Sequence, residues 1–190
     1  TDNPDNAGDF YAFSEDIAEY HVPEGYAIDR VYLGRTHADA DAARAAIAER
    51  LGEGALVSQY IGHGLHTGWA QELMFRRSDV QDLKNGGRLP ILLDMTCMTG
   101  FFSDPLRFSI SETAVRMQGG GAIAAFSPTG FGVATGHDIM NRTFIDLLLG
   151  QGTSPIGAVV VASKLKLGEY SLQHRDLLDT FAFFGDPALR

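Results

Sequence analysis

The fold is decided by two apolar segments that each run into a reactive residue: Ala55–Ile61 (ALVSQYI) leads into Gly62-His63-Gly64, and Leu89–Met95 (LPILLDM) leads into Thr96-Cys97. Short apolar runs bounded by turn residues indicate buried strands of a parallel sheet. In such sheets, chemistry collects where the strands end. The two segments therefore predict that His63 and Cys97 lie at the same edge of one sheet.

The rest of the chain predicts strands and helices that alternate around these two segments. Further strands are expected at Tyr26–Leu33, Ala122–Ser127 and Thr180–Phe184, which are rich in β-branched, aromatic or small apolar residues. Helices are expected at Ser14–Tyr20, Ala38–Leu51, Ser78–Lys84, Ser111–Gln118, His137–Leu149 and Pro155–Leu167. This order predicts an α/β fold with a mostly parallel sheet covered on both faces.

Composition and charge narrow the class of protein. The 190 residues, 45% of them apolar, suffice for one domain with a real core. A net charge of −9 argues against nucleic acid as a partner, because binding to phosphates needs basic patches. The apolar runs fall far short of the roughly 20 residues that span a bilayer. A single cysteine excludes an internal disulfide framework.

Cys97 has the chemistry of a nucleophile, and His63 has that of the base that would activate it. A lone cysteine is more often a buried structural thiol, but an imidazole at the neighbouring strand end can activate it. The flanking glycines allow close backbone approach at His63. The backbone N–H groups of Gly64 and Cys97 are natural donors to a developing oxyanion.

Two metal sites are alternatives at this stage. His63 and His66 with Cys97 resemble a zinc ligand set, but the glycines around His63 argue against the helix that would align the histidines, and a fourth ligand is not evident. The acidic, turn-rich segment Thr1–Asp9 suggests a calcium loop, although its spacing fails the EF-hand pattern. The metal content of the chain therefore stays open.

Four motifs follow one another along the chain: YIGHG at 60–64 with TGW at 67–69, LLDMTC at 92–97, GGGAIA at 119–124 and FFGDP at 183–187. In this order they resemble the gingipain family of cysteine peptidases (peptidase family C25), relatives of caspases and legumains. A hydrophobic strand ending in His-Gly and a second one ending in Cys is the signature of that whole clan. Each motif is weak alone, whereas four in order across nearly the full chain are specific.

The resemblance implies a caspase-like three-layer α/β sandwich that forms one peptidase domain over residues 1–190. It implies a cysteine endopeptidase in which His63 is the general acid and base, Cys97 the nucleophile, and the amides of Gly64 and Cys97 the oxyanion hole. The reaction needs no cofactor, and a structural calcium ion is compatible with it.

Gingipains prefer Arg or Lys before the scissile bond and use an acidic residue at the base of the pocket. The resemblance places Asp9 at that position, with Glu15 or Asp16 as substitutes. Three further residues are expected to line the pocket walls: Ile61, Met95 and Phe131.

Two features of the family are expected to be missing here. In gingipains, the acidic residue that orients the histidine and a central strand both lie upstream of the region that matches Asp2. The chain is therefore expected to begin inside the domain. Either a cleaved N-terminal fragment of the same precursor remains associated, or the sequence is a fragment.

Two other functions stay open. One is a non-catalytic or self-processing module in which the caspase-like fold serves binding, and the other is a metal-dependent hydrolase that uses His63, His66 and Cys97. The expected partner of the leading function is a peptide or protein substrate. The resemblance of the chain to gingipains suggests secretion or attachment to the cell surface.

Overall fold

A computed structural model describes residues 1–170 and 172–190. Its strands are β1 (Val57–Ile61), β2 (Gly64–Leu65), β3 (Gly68–Trp69), β4 (Phe75–Arg76), β5 (Ile91–Met95), β6 (Ala124–Pro128) and β7 (Phe181–Phe184). Its helices are α1 (Phe10–Asp16), α2 (Ala40–Glu53), α3 (Arg77–Asp82), α4 (Ile110–Arg116), α5 (Ala134–Ile145), α6 (Ile156–Tyr170) and α7 (Asp176–Thr180). Two π-helical turns, Ile17–His21 and Asp146–Gly150, and a 3₁₀ turn, Leu172–His174, continue or join these helices.

The central sheet has the strand order β1-β5-β6-β7. Strands β1, β5 and β6 are parallel, with Val57 opposite Ile91 and Ile61 opposite Met95, whereas β7 is antiparallel to β6. The predicted mostly parallel sheet is therefore confirmed. Because Ile61 and Met95 are paired, His63 and Cys97 each lie two residues beyond matching strand ends.

Helices cover both faces of this sheet. Alternate residues of a strand point to opposite faces, and neighbouring residues of these strands are buried in two different core clusters. Leu93 and Phe126 belong to one core cluster, where Phe126 stacks on Phe144 of α5 with ring centroids 5.7 Å apart. Leu92 belongs to the other cluster, which includes Ile47 of α2. The result is the three-layer sandwich that was expected. None of the helices in the described ranges is long and apolar enough to cross a membrane.

Two predicted elements differ from the structure. The Tyr26–Leu33 segment is not a strand: Tyr26–Arg30 is exposed, and the single bridge in the segment joins Leu33 to His37. Its β-rich composition is not enough, because a strand also needs a neighbour to pair with. The first helix begins at Phe10, earlier than the predicted Ser14, because the side chain of Asp9 caps it by accepting a hydrogen bond from the Ala12 N–H at 3.0 Å.

A slot of about 410 Å³ separates the edge strand β1 from residues 26–32. Thr1 and Asp2 bridge one end of it. The Thr1 nitrogen donates to the Val31 carbonyl oxygen at 2.6 Å and the Asp2 N–H donates to the Ile61 carbonyl oxygen at 3.0 Å. Since each wall lies one hydrogen bond away, the slot is roughly two strand spacings, about 9.5 Å, across. That width accommodates one extended chain.

Candidate active site

His63 lies in a turn whose two glycines let the backbone approach its neighbours closely. A Cβ atom on Gly62 would lie 2.3 Å from Cβ of Asp2, and one on Gly64 would lie 2.4 Å from Oγ1 of Thr96. The same Cβ on Gly64 would lie 2.9 Å from the carbonyl oxygen of Cys97. The histidine turn therefore rests directly on the cysteine turn, and the prediction that both lie at one sheet edge is confirmed.

A carboxylate from the first turn of the chain holds the His63 ring. Nε2 of His63 lies 2.8 Å from Oδ2 of Asp5, and the ring packs edge-on against Phe10 with centroids 5.4 Å apart. The His63 backbone N–H donates to Oδ2 of the buried Asp2 at 3.1 Å. In a neutral imidazole whose Nε2 donates to Asp5, the other ring nitrogen, Nδ1, carries no proton and can accept one.

The acid that orients the histidine was expected to lie outside the chain, but the structure shows that Asp5, within the chain, contacts it. Asp5 forms a tight turn in which its Oδ1 accepts a hydrogen bond from the Ala7 N–H at 2.7 Å. That bond and the contact with His63 lower the pKa of Asp5, so its carboxylate stays charged at neutral pH. Asp2 differs, because burial raises its pKa.

Cys97 is half-buried, and its thiol faces the loop that follows β6. The Sγ–H donates a weak hydrogen bond to the carbonyl oxygen of Gly132, 3.7 Å away. Burial raises the pKa of the thiol, an effect that this hydrogen bond only partly offsets. The resting cysteine is therefore protonated, and it needs a base to become a nucleophile.

The backbone N–H of Cys97 was expected to be one of the oxyanion donors. In the part of the chain that the structure describes, no hydrogen bond uses the backbone N–H of Cys97. Gly64 lies in β2 opposite Trp69, so a small antiparallel sheet holds it beside Cys97. The arrangement can present an N–H group to a substrate oxygen next to the thiol.

The four residues expected to form the substrate pocket fall into two groups. Ile61 and Met95 are 5% and 1% exposed and belong to the core, so the structure does not place them on an open pocket wall. Phe131 is 72% exposed on the loop after β6, next to Gly132, which contacts the thiol. Asp9 is exposed, and a Cβ on its neighbour Gly8 would lie 3.6 Å from Ala134 at the end of that loop.

The two substitutes for Asp9 have cationic partners. Glu15 lies 3.0 Å from Arg30, and Asp16 lies 2.8 Å from Arg142. Their charges are thus paired within the chain, which leaves Asp9 as the exposed acid near the loop of Phe131.

The residues considered as metal ligands do not converge. Within residues 1–170 and 172–190, no group of three or more His, Cys, Asp or Glu side chains is placed to hold a metal ion. In the acidic turn, Asp5 contacts His63 and Asp9 caps α1. The described side chains therefore supply no ready-made ligand set for calcium in that turn or for zinc at His63, His66 and Cys97.

Solved structures of the gingipain RgpB have a similar fold. The crystal structure of the Arg-specific cysteine proteinase gingipain R (RgpB) matches with a TM-score of 0.78 and 22% identity, over 94% of this chain and 41% of that one. The complex of the Porphyromonas gingivalis RgpB pro- and mature domains matches with a TM-score of 0.77 and 22% identity, over 100% of this chain and 44% of that one. The sheet and these matches define a caspase-like α/β fold.

Curated relatives and a family model place the chain more narrowly. Gingipain R2 of Porphyromonas gingivalis (strain ATCC 33277) is 28% identical over 154 residues, which cover 75% of this chain and 20% of the relative. Gingipain R1 of Porphyromonas gingivalis is 28% identical over 154 residues, covering 75% of this chain and 15% of the relative. The chain thus spans a fifth or less of these relatives. The sequence model of peptidase family C25 matches residues 1–190, and the chain belongs to that family.

Proposed function

We propose that this chain carries the catalytic site of a cysteine endopeptidase that cleaves after a basic residue. The observation that carries the proposal is the contact between the two turns, in which Gly64 lies against Thr96 and Cys97 while His63 is held by Asp5. Membership of peptidase family C25 supports the reaction class. A solved structure of similar fold is an Arg-specific cysteine proteinase, which supports the preference for a basic residue.

The reaction follows from the roles of these groups. Nδ1 of His63 takes the proton of the Cys97 thiol, and the thiolate adds to the carbonyl carbon of the scissile bond. The N–H groups of Cys97 and Gly64 donate to the oxyanion. The imidazolium then gives its proton to the leaving amine, and a thioester remains on Cys97. Water, deprotonated by His63, releases the acid product.

Asp5 supports both proton transfers. Its carboxylate keeps the proton of neutral His63 on Nε2, so that Nδ1 is free for the thiol. It also stabilises the imidazolium that forms when the thiolate appears, as an oriented carboxylate does in other catalytic triads. Burial raises the pKa of the Cys97 thiol and so disfavours the thiolate. By stabilising the imidazolium that forms together with the thiolate, Asp5 offsets this effect.

Asp9 is the acid that we assign to the substrate's basic side chain. The other two candidates are paired with Arg30 and Arg142, and Asp9 uses one oxygen to cap α1. A carboxylate that receives a guanidinium or ammonium group gives a strong, charge-assisted contact. Phe131, exposed on the loop after β6, is the aromatic residue that we assign to the same pocket.

The slot beside β1 suggests a place for an N-terminal fragment of the same precursor. Each wall of the slot lies about one strand spacing from the Thr1–Asp2 segment. Strand β1 lies at the edge of the sheet and has no charged residues. A structure of similar fold is a complex of pro- and mature domains, which supports an associated fragment. Native mass spectrometry of the processed full-length protein should show a second polypeptide, and a single chain would contradict this part of the proposal. We place the protein outside the cell, on its resemblance to gingipains.

Covalent labelling tests the proposed reaction directly. Peptidyl chloromethyl ketones ending in Arg or Lys should modify Cys97, and the same peptide ending in Asp should not. Mass spectrometry gives the extent of labelling, and Cys97→Ala gives the background. If iodoacetamide modifies Cys97 while no peptide reagent does, the chain is a binding module in this state and the proposal is wrong.

A further inference from the structure

Asp94 is a carboxyl group buried inside the central sheet, three residues before Cys97. It is 0% exposed, and every residue of β5 around it is buried. A buried carboxyl group is costly unless hydrogen bonds compensate for the lost water. The proposed reaction does not use it, so its burial needs another explanation.

The carboxyl group joins three elements behind the cysteine turn. Its Oδ2 lies 3.1 Å from Oγ of Ser111 in α4 and 2.9 Å from Oγ of Ser127 in β6. The two serine oxygens are themselves 2.8 Å apart, and both residues are fully buried. The backbone N–H of Ser111 donates to the carbonyl oxygen of Thr99, two residues after Cys97, at 3.1 Å. The Asp94–Ser111–Ser127 cluster therefore touches the turn that carries the thiol.

That turn depends on the same elements for its shape. Met98 has a φ of +60°, which a residue other than glycine adopts only when its surroundings hold it. Its N–H donates to the Gly130 carbonyl oxygen at 3.0 Å, and the Gly100 N–H donates to that of Pro128 at 2.8 Å. Both acceptors lie at or just past the end of β6, the strand that Ser127 joins to Asp94.

The two serine hydroxyls hold the cluster together. Each hydroxyl lies within hydrogen-bond distance of Oδ2, and the two hydroxyls lie within hydrogen-bond distance of each other. Oδ2 of Asp94 is the acceptor that both serines share.

The surroundings of Asp94 act on its carboxyl group in opposite directions. Burial raises its pKa to about 6, and the hydrogen bonds from Ser127 and Ser111 lower it. The buried phenol of Tyr60 also faces it and is neutral, because burial raises its own pKa well above 10.

We propose that Asp94 is a positioning residue for Cys97, and that its hydrogen-bonded cluster with Ser111 and Ser127 fixes the turn that presents the thiol to a peptide. The inference rests on the proposed function. It makes Asn an adequate replacement for Asp94, because an amide oxygen can accept the same hydrogen bonds from the two serines. Ala leaves both serine hydroxyls without that partner.

The experiment compares Asp94→Asn and Asp94→Ala with two reagents for the single cysteine. An Arg chloromethyl ketone peptide requires a positioned thiol, whereas iodoacetamide requires only an accessible thiolate. Asp94→Ala should lose about 10-fold or more in the rate with the peptide and less than about 3-fold with iodoacetamide. Asp94→Asn should stay within about 3-fold for both reagents. Asp138→Asn is the control: it changes a partly buried carboxyl group in α5 and should alter neither rate.

Several outcomes would overturn the inference. Asp94→Ala labelled by the peptide at the normal rate would show that the turn does not need the cluster, and an equal loss with both reagents would show a general structural defect. Asp94→Asn as slow as Asp94→Ala would show that an acceptor for the two serines does not fix the turn, which overturns the inference. If Asp94→Ala fails to fold, Ser127→Ala should show the same selective loss to a smaller extent, and its absence counts against the inference.

A failure of the proposed function is distinguishable from a failure of this inference. If the unaltered protein reacts with iodoacetamide but not with the peptide, the function is wrong. Hydrogen exchange at the amides of Gly100 and Ser111 then decides on Asp94 alone. Faster exchange in Asp94→Ala than in Asp94→Asn supports the cluster, and equal exchange overturns it.

Discussion

Gly64→Ala is the substitution that tests most directly whether the histidine and cysteine turns must touch. The added Cβ would lie 2.4 Å from Oγ1 of Thr96 and 2.9 Å from the carbonyl oxygen of Cys97, whereas an ordinary contact begins at 3.4 Å. Because the carbonyl oxygen belongs to the backbone, the turns must separate by about 0.5 Å, and Oγ1 of Thr96 must move by about 1 Å. Since a misplacement of 1 Å at a reacting centre can cost about 100-fold in rate, displacements of this size should cost about 10- to 100-fold.

The assay is the rate at which the Arg chloromethyl ketone peptide labels Cys97, with urea unfolding as the measure of stability. We expect a loss of about 10- to 100-fold in labelling and about 1–3 kcal/mol in the free energy of unfolding, since small-to-large changes in packed sites cost that much. Gly52→Ala in α2 is the matched control. Its new Cβ meets nothing within 4 Å, so labelling should not change and stability should rise by about 0.5–1 kcal/mol.

Two results would refute this reasoning. If folded Gly64→Ala were labelled within about 3-fold of the normal rate, the contact between the turns would not control the position of the thiol. If Gly52→Ala lost labelling to the same extent, the loss would come from the added methyl group and not from its location.

Three other predictions concern single side chains. Asp5→Ala should lower kcat about 10-fold or more without lowering the melting temperature, because the exposed carboxylate acts on His63 and not on the core. The control is Asp104→Ala, which removes a similar turn contact to the Leu106 N–H and should leave kcat unchanged. A normal kcat in Asp5→Ala would contradict the role of Asp5. Asp9→Asn should remove most of the preference for Arg over a neutral residue in paired peptide substrates, and an unchanged ratio of kcat/KM would exclude Asp9 as the pocket acid. Burial lowers the pKa of His137 to about 4, so the unfolded chain binds the extra proton below 6.5 and stability should fall from pH 6.5 to pH 4. Urea unfolding of His137→Gln should lack about 3 kcal/mol of that fall, and an identical pH dependence would disprove the assignment.

Residues close to one another in sequence made much of the fold predictable. The apolar segments before His63 and Cys97 indicated neighbouring parallel strands, and the structure pairs β1 with β5 in the expected direction. The glycines around His63 indicated close approach, and the structure shows what each of them contacts. Strand pattern and turn chemistry are local properties, so the sequence carries them directly.

Pairings between distant residues could not be predicted in this way. Asp5 and His63 are 58 positions apart, and nothing in the acidic first turn distinguishes Asp5 from Asp2 or Asp9 as the partner of the imidazole. The burial of Ile61 and Met95 also depends on the helices that pack over them. Sequence order does not reveal which side of a strand end faces a cleft.

The sequence by itself determined the two parallel strands that lead into His63 and Cys97, the sheet edge that holds these residues, and the resemblance to gingipains. Only the tertiary structure decided that residues 26–33 do not form a strand, because the segment has β-forming residues but a slot where a pairing strand would lie. Only the tertiary structure joined Asp94 to Ser111 and Ser127. Local patterns arise from the steric preferences of neighbouring residues, whereas hydrogen bonds and burial depend on which distant segments the fold brings together.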